Sequence, residues 1–339
     1  MAASRQGHVA CSIPAVIDWR VTGIAHLAFA GGALVFLSLP LMGQAVDPAG
    51  RAPFTSFALD PRAPIVREEH YVMNARVRPL LLFWIGRDDV GGARIRWRQG
   101  PAGHRAFELL VGSDPLRAPR RINRWGFIVE EERGEISEVL GVMKESGEQT
   151  LEEARANIER GGGERATFKA VRTTVTGNRA VTGTIAFAAS SDLTYHQLGA
   201  LVSLIPTRPQ AVRTTDLPAT ANRGFLLAVT SLIHRTAAGC RSGAGAESRA
   251  VQYFYNQALY DLSVSSCKYA RELRTKTGVF AEVAAARFQV RNNKTGELTK
   301  FQVEYGLSDA LREVPIRVVF RPRWWIEIEL LLDREGRYP

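Results

Sequence analysis

Asp88, Asp89, Asp114, His70 and His104 are the side chains of this chain that would do acid–base or metal chemistry if a fold brought them together. One group of such a set takes the proton of a water molecule while another holds the charge that develops. A hydrolase using Asp88, Asp89 and Asp114 is therefore one reading of the sequence. Against it, Arg87-Asp88-Asp89-Val90-Gly91-Gly92 reads as a turn, because Asp bonds its own backbone and Gly tolerates unusual φ. The chain has no His-Glu-x-x-His, His-x-His or Cys-x-x-Cys spacing, so neither a metal nor a cofactor is expected. It has no Gly-x-Ser-x-Gly elbow. Gly161 to Gly163 close a helical segment instead of opening one, so they lack the amides that cradle a phosphate.

Ser265-x-x-Lys268, followed by Lys276-Thr277-Gly278, resembles two parts of the penicillin-binding and β-lactamase motif set. In that family the Ser-Lys pair opens a helix and the Lys-Thr-Gly strand comes much later. Here the two lie almost side by side, with no Ser-Asp-Asn between them. Lys294-Thr295-Gly296 repeats the triplet, which shows how cheaply it arises.

Residues suited to binding are better represented. Arg117, Arg120, Arg121 and Arg124 form the densest basic cluster, and guanidinium forks fit phosphate and carboxylate oxygens. Their spacing matches one helix face, but Pro119 favours a loop. Arg321 and Arg323 flank Trp324-Trp325. Neighbours in a strand face opposite ways, so one Trp is expected in the core and the other at the sheet rim, a ligand or a membrane interface, with Trp324 as the candidate contact. Tyr253, Tyr255, Phe288, Tyr305 and Phe320 alternate inward along the cleanest strands. They would line a cavity for an acyl-type ligand or fill the interior themselves.

These residues have to be positioned by strands. Ala93 to Arg98 alternates Ala93, Ile95 and Trp97 on one face with Arg94, Arg96 and Arg98 on the other. Strands are expected over Tyr71 to Ile85 (broken at Pro79), Ala106 to Val111 and Trp125 to Glu130. Thr167 to Ala188 reads as a hairpin turning at Gly177-Asn178, and Asn292 to Gly296 turns a second one between Ala286–Val290 and Phe301–Tyr305. Pro315 to Phe320 and Trp324 to Leu332 make a last pair, in which Ile326, Ile328 and Leu330 should face the core and Glu327 and Glu329 water. Helices are expected at Thr150–Arg160, at Leu193–Ile205 with Asp192 as cap, and at Arg223–Ala237, with a Pro- and Thr-rich connection over Thr207–Asn222. The fold class is thus α+β and β-rich, with curved antiparallel sheets or a half-barrel and about three helices inserted in mid-chain. At fold level this resembles the half-barrel exported carriers that shuttle lipoproteins or sense envelope stress.

Val21 to Ala45 sets the expected location. Arg20 precedes an apolar run that ends in Gly43-Gln44-Ala45, with small residues at −3 and −1 as a signal peptidase requires. The expectation is cleavage after Ala45, residues 46–69 as an extended tether, and residues 70–333 as the β-rich exported domain, in one piece or as sub-domains 70–148 and 164–333. An uncleaved N-terminal membrane anchor is the alternative. Export agrees with Cys240 and Cys267 as a disulfide pair once Cys11 is removed. The net charge of +10 is carried mainly by Arg, a bias that GC-rich bacterial codons also produce. A basic surface favours anionic partners, and no nucleic-acid-binding motif is present. The leading reading is a non-enzymatic periplasmic or secreted protein that binds an apolar or amphiphilic envelope ligand. A protein-interaction or assembly scaffold of the envelope is the second.

Overall fold

A computed structural model describes residues 63–78, 83–144, 165–198, 205, 209, 211–242, 249–323 and 325–334. The expected signal peptide, the helix at 150–160 and Trp324 lie outside the described residues. Eight strands come first: β1 (Ile65–Val77), β2 (Ile85–Gln99), β3 (Arg105–Ser113), β4 (Trp125–Arg133), β5 (Ile136–Lys144), β6 (Arg165–Thr176), β7 (Arg179–Ser190) and β8 (Ala211–Asp216). Helix α1 (Phe225–Ser242) follows, then β9 (Arg249–Tyr255), β10 (Ala258–Thr275), β11 (Gly278–Asn292), β12 (Leu298–Gly306), β13 (Pro315–Arg323) and β14 (Ile326–Leu332).

All fourteen strands belong to one curved antiparallel sheet, ordered β8-β7-β6-β5-β4-β3-β2-β1-β14-β13-β12-β11-β10-β9. Each half is a meander in which sequential strands are antiparallel neighbours. The halves join where β1 pairs with β14, from Tyr71 opposite Leu332 to Val77 opposite Ile326. The edges β8 and β9 are brought together by the segment after β8. Asn222 N donates to Gln252 O at 2.7 Å and Phe254 N to Asn222 O at 3.0 Å, and Phe254 packs on Val175, Ala180 and Leu217. The Asn222 bridge covers part of the β9 edge, a strand surface that promotes aggregation when left free.

Helix α1 fills the concave side. Phe225, Ala228, Leu232 and Ile233 pack among Tyr253, Tyr305, Phe301 and Ile128. Its far end is tied to β10 by a Cys240–Cys267 disulfide with Cα atoms 5.5 Å apart. Closing a loop of sequence separation 27 contributes roughly 3 kcal/mol through the unfolded chain. A second cluster, Trp125, Phe127, Leu140, Phe168 and Ile185, lies on the other face of β4 to β7 under Tyr195 and Leu198.

Several expectations are corrected. Gly91 and Gly92 are not a turn but lie inside β2, beside a bulge between Met73 and Ala75. A Cβ on Gly91 would stand 2.1 Å from the Gly112 carbonyl oxygen, so the pair serves close strand approach. Among the described residues one α-helix replaces about three. At Leu193–Ile205 the described part is a 3₁₀ turn over Tyr195–Gln197, capped by Thr194 and not by Asp192. The Thr207–Asn222 connection contains β8, and β5 was not foreseen.

Glu327 and Glu329 are the largest correction. They are 7% and 6% exposed, not in water. Arg321 Nε donates to Glu327 at 2.7 Å, and Arg317 Nε donates to Glu329 at 2.7 Å. Asn74 Nδ2 donates to Glu329 at 3.1 Å. Burial pushes the Glu329 carboxyl up, but Asn74 and Arg317 outweigh it and hold the pKa below the usual value. Ile328 and Leu330 do pack against the α1-side core, half-buried.

Candidate functional site

The alternation that places Ala93 and Ile95 against the core also turns Trp97 to the concave face of the sheet. Phe107 of β3 pairs with Trp97, and Glu130 of β4 pairs with Phe107, so the three form one row across the inner face. Beyond them the concave side opens into a cavity of about 730 Å³. Val66, Arg67, Trp97 and Phe107 line it from the sheet, Thr230 from α1, and Arg312, Glu313 and Val314 from the β12–β13 loop.

Arg67 ties the sheet to that loop. Its guanidinium sits 5.8 Å from the centre of the Trp97 ring, donates to Glu69 at 2.8 Å and bonds the Ala310 carbonyl. The loop itself is pinned. Glu313 N donates to Gly306 O at 2.8 Å and Gly306 N to Val314 O at 3.1 Å. A Cβ on Gly306 would meet the Leu311 carbonyl oxygen at 2.2 Å, so only glycine permits this approach. Arg105 pairs with Glu132 at 2.6 Å, and Glu313 with His234 at 2.8 Å. Arg312 is exposed and has no ion pair among the described residues. Aromatic walls beside guanidinium groups suit an amphiphile with an anionic group, and the volume lies in the usual range for small-molecule sites.

Below the cavity Glu130 is wholly buried and caps α1 from another element. Leu226 N and Leu227 N each donate to its carboxylate at 2.9 Å. Gly224 makes room for it, since a Cβ there would stand 2.2 Å from the carboxylate. Burial pushes its pKa up to about 7, against the amide bonds of Leu227, Leu226 and Phe225. The sequence shows Glu130 only as the acidic end of a strand. Its inward position, two residues after Ile128, is the signal that would have found it.

The candidate hydrolytic set does not converge. Asp88 is bound by Lys276 at 2.6 and 2.7 Å from the tip of the β10–β11 hairpin. Asp89 and Asp114 share Arg117, at 2.9 and 3.3 Å. His70 bonds Glu68 and His104 bonds Glu131, at 2.8 and 2.6 Å, away from the aspartates. Among the described residues no group of three or more His, Cys, Asp or Glu is placed to hold a metal. Ser265 and Lys268 lie in strand β10 rather than at a helix start.

No family model matches the chain, and no curated protein matches it. Among solved structures, a beta-barrel-like protein of the domain of unknown function DUF1849, from Brucella abortus, is similar over 80% of this chain and 95% of its own, with 10% identity and a TM-score of 0.40. A protein of Parabacteroides distasonis proposed to be a lipoprotein covers 80% of this chain and 96% of its own, with 9% identity and a TM-score of 0.23. Likeness at this level carries no argument about the site. No helix among the described residues is long and apolar enough to cross a membrane, which says nothing of strands.

The remaining sequence-selected residues fall in three places. Tyr253, Tyr255 and Tyr305 are buried beside α1: Tyr253 stacks on Tyr260 with ring centres 5.1 Å apart, and the Tyr305 hydroxyl lies 3.0 Å from Thr236 Oγ1. Phe288, Phe320 and Arg321 border a second hollow of about 780 Å³. Strand alternation points Arg287, Lys300 and Arg321 outward there, while the rings of Phe288 and Phe320 are buried in the α1-side core. Arg117, Arg120 and Arg121 are exposed in the β3–β4 loop, with a 3₁₀ turn at Pro119–Arg121, and Arg124 is half-buried at its end. The Arg323 side chain lies outside the described residues. Trp97, Phe107, Arg67 and Arg312, which line the mouth, were not selected from sequence, because the β12–β13 loop that closes it over β1, β2 and β3 is distant from those strands in the chain.

Proposed function

We propose that this chain is a non-enzymatic protein of the bacterial envelope that binds an anionic amphiphile at the mouth of its curved sheet. The carrying observation is the 730 Å³ cavity in which Trp97 and Phe107 adjoin Arg67, Arg105 and Arg312. An apolar chain would lie along the two rings and Val314, and its charged group would meet Arg312. Inner-face aromatics elsewhere pack against α1, so among the described residues this mouth is where the concave side remains open. Residues 21–45 supply export in this reading, and the mature chain begins at Val46.

Native mass spectrometry of protein purified from the envelope tests this. The expected result is a chain starting at Val46 with a copurifying amphiphile, lost in Trp97→Ala and weakened in Arg312→Glu. Ligand-free protein that also fails to bind a fluorescent fatty acid would overturn the amphiphile reading. The packed interior around α1 then favours the second reading, an assembly scaffold that works through its outer surface.

A further inference from the structure

At the opposite end of β1 from the mouth, roughly 35 Å away along the strand, three large apolar side chains in succession stand in solvent. Phe83, Trp84 and Ile85 are 59%, 37% and 49% exposed. They enter β2 at the tip of the β1–β2 hairpin, and the sequence before them reads Pro-Leu-Leu-Leu. The β13–β14 turn lies beside them, since Arg78 N donates to the Trp325 carbonyl at 2.8 Å. Arg321 sits over the Trp84 ring at 5.7 Å. The carboxylate partner of Arg321, Glu327, lies buried beneath it.

The cations around this tip are in solvent, Arg87 on the face of Ala75 and Arg321 on the opposite face with Glu327. Arg87, two residues beyond Ile85, is exposed and has no ion pair among the described residues. Arg321 also borders the outer hollow that carries Arg287 and Lys300, both exposed and without ion pairs among the described residues. Phe and Trp at the end of a hairpin, flanked by the Arg87 and Arg321 guanidinium groups, match the chemistry of a bilayer interface. Aromatic rings settle at headgroup depth there, and cations meet anionic phosphates. Consecutive exposed apolar side chains beside cations, rather than a single anchor, favour a soft anionic surface over a protein. We propose that Phe83, Trp84 and Ile85 insert into the surface of an anionic lipid bilayer, with Arg87, Arg321, Arg287 and Lys300 on the headgroups. This inference is independent of the amphiphile site at the mouth.

The test uses protein purified from the envelope and vesicles of phosphatidylcholine with or without phosphatidylglycerol. Wild type should cosediment with the phosphatidylglycerol vesicles. The Phe83→Ser/Trp84→Ser variant should bind at least about tenfold more weakly, since its apolar area no longer leaves water. Arg87→Gln/Arg321→Gln should weaken binding only where phosphatidylglycerol is present. Brominated lipid should quench emission that is missing from Trp84→Phe, which reports the tip directly in folded wild-type protein. Vesicle binding unchanged by the serine variant, or Trp84 emission unquenched on bound protein, would overturn the proposal. So would a serine variant that alters only the oligomeric mass in sedimentation equilibrium, which would make the tip a contact between copies of the chain.

Discussion

Glu130→Gln should remove a defined part of the pH dependence of stability. The carboxyl is wholly buried, and burial lifts its pKa from 4.5 to about 7 against the amides it accepts from. In the unfolded chain it returns to its ordinary value. Between the two values the folded state holds a proton that the unfolded state releases, so unfolding free energy falls as pH rises. The stabilisation is fully present below the ordinary carboxyl pKa and is lost as pH climbs through about 7. At about 1.4 kcal/mol per tenfold difference in proton affinity, the change from 4.5 to about 7 amounts to about 3 kcal/mol. Gln keeps the shape and one acceptor but does not titrate. Urea unfolding of wild type and variant, followed by far-ultraviolet circular dichroism from about pH 4.5 to about pH 8, gives the comparison as a difference curve. Wild type should lose about 3 kcal/mol relative to the variant across that range. A flat difference curve would refute the reasoning. It would mean that the carboxylate is ionised throughout, carried by the partial positive charge at the α1 N-terminus. Glu130→Ala should cost about 2–4 kcal/mol at every pH, because two buried amides lose their acceptor.

Two further substitutions test the packing. In Gly141→Ala the new Cβ would stand 2.4 Å from the Tyr255 hydroxyl oxygen, which is buried and without a hydrogen-bond partner among the described residues. Thermal or urea unfolding should show a loss of about 1–3 kcal/mol, and adding Tyr255→Phe should recover most of it; no recovery would place the strain elsewhere. Glu327→Gln should cost about 1 kcal/mol, less than a fully buried pair, because Arg76 and Arg321 are 40% and 60% exposed. A silent Glu327→Gln would show that the Arg and Glu side chains on that outer face are merely solvated.

Local spacing made the β-hairpins legible. Gly177-Asn178 and Asn292 to Gly296 sit where β6–β7 and β11–β12 turn, because turn chemistry is decided by the residues in the turn. Alternation likewise separated Trp97 from Arg96 and Arg98, and the expected removal of Cys11 left Cys240 and Cys267 as the one exported pair. The helix at Arg223–Ala237 appears as α1, extended to Ser242. Gly91-Gly92 misled because the same glycines serve a turn and a close approach between strands. Only the presence of Met73 and Gly112 alongside distinguishes the two.

By itself the sequence determined which residues share a strand face and where most hairpins turn, since both depend on neighbours a few positions away. The tertiary structure alone decided what covers each face. Glu329 is buried because Asn74 on β1 and Arg317 on β13 converge on it. Glu130 caps a helix that begins far along the chain, at Phe225. The mouth exists because the β12–β13 loop meets β1, β2 and β3. Pairing β1 with β14 creates the last of these neighbourhoods. Contacts between residues more than two hundred positions apart leave no periodic trace in either segment.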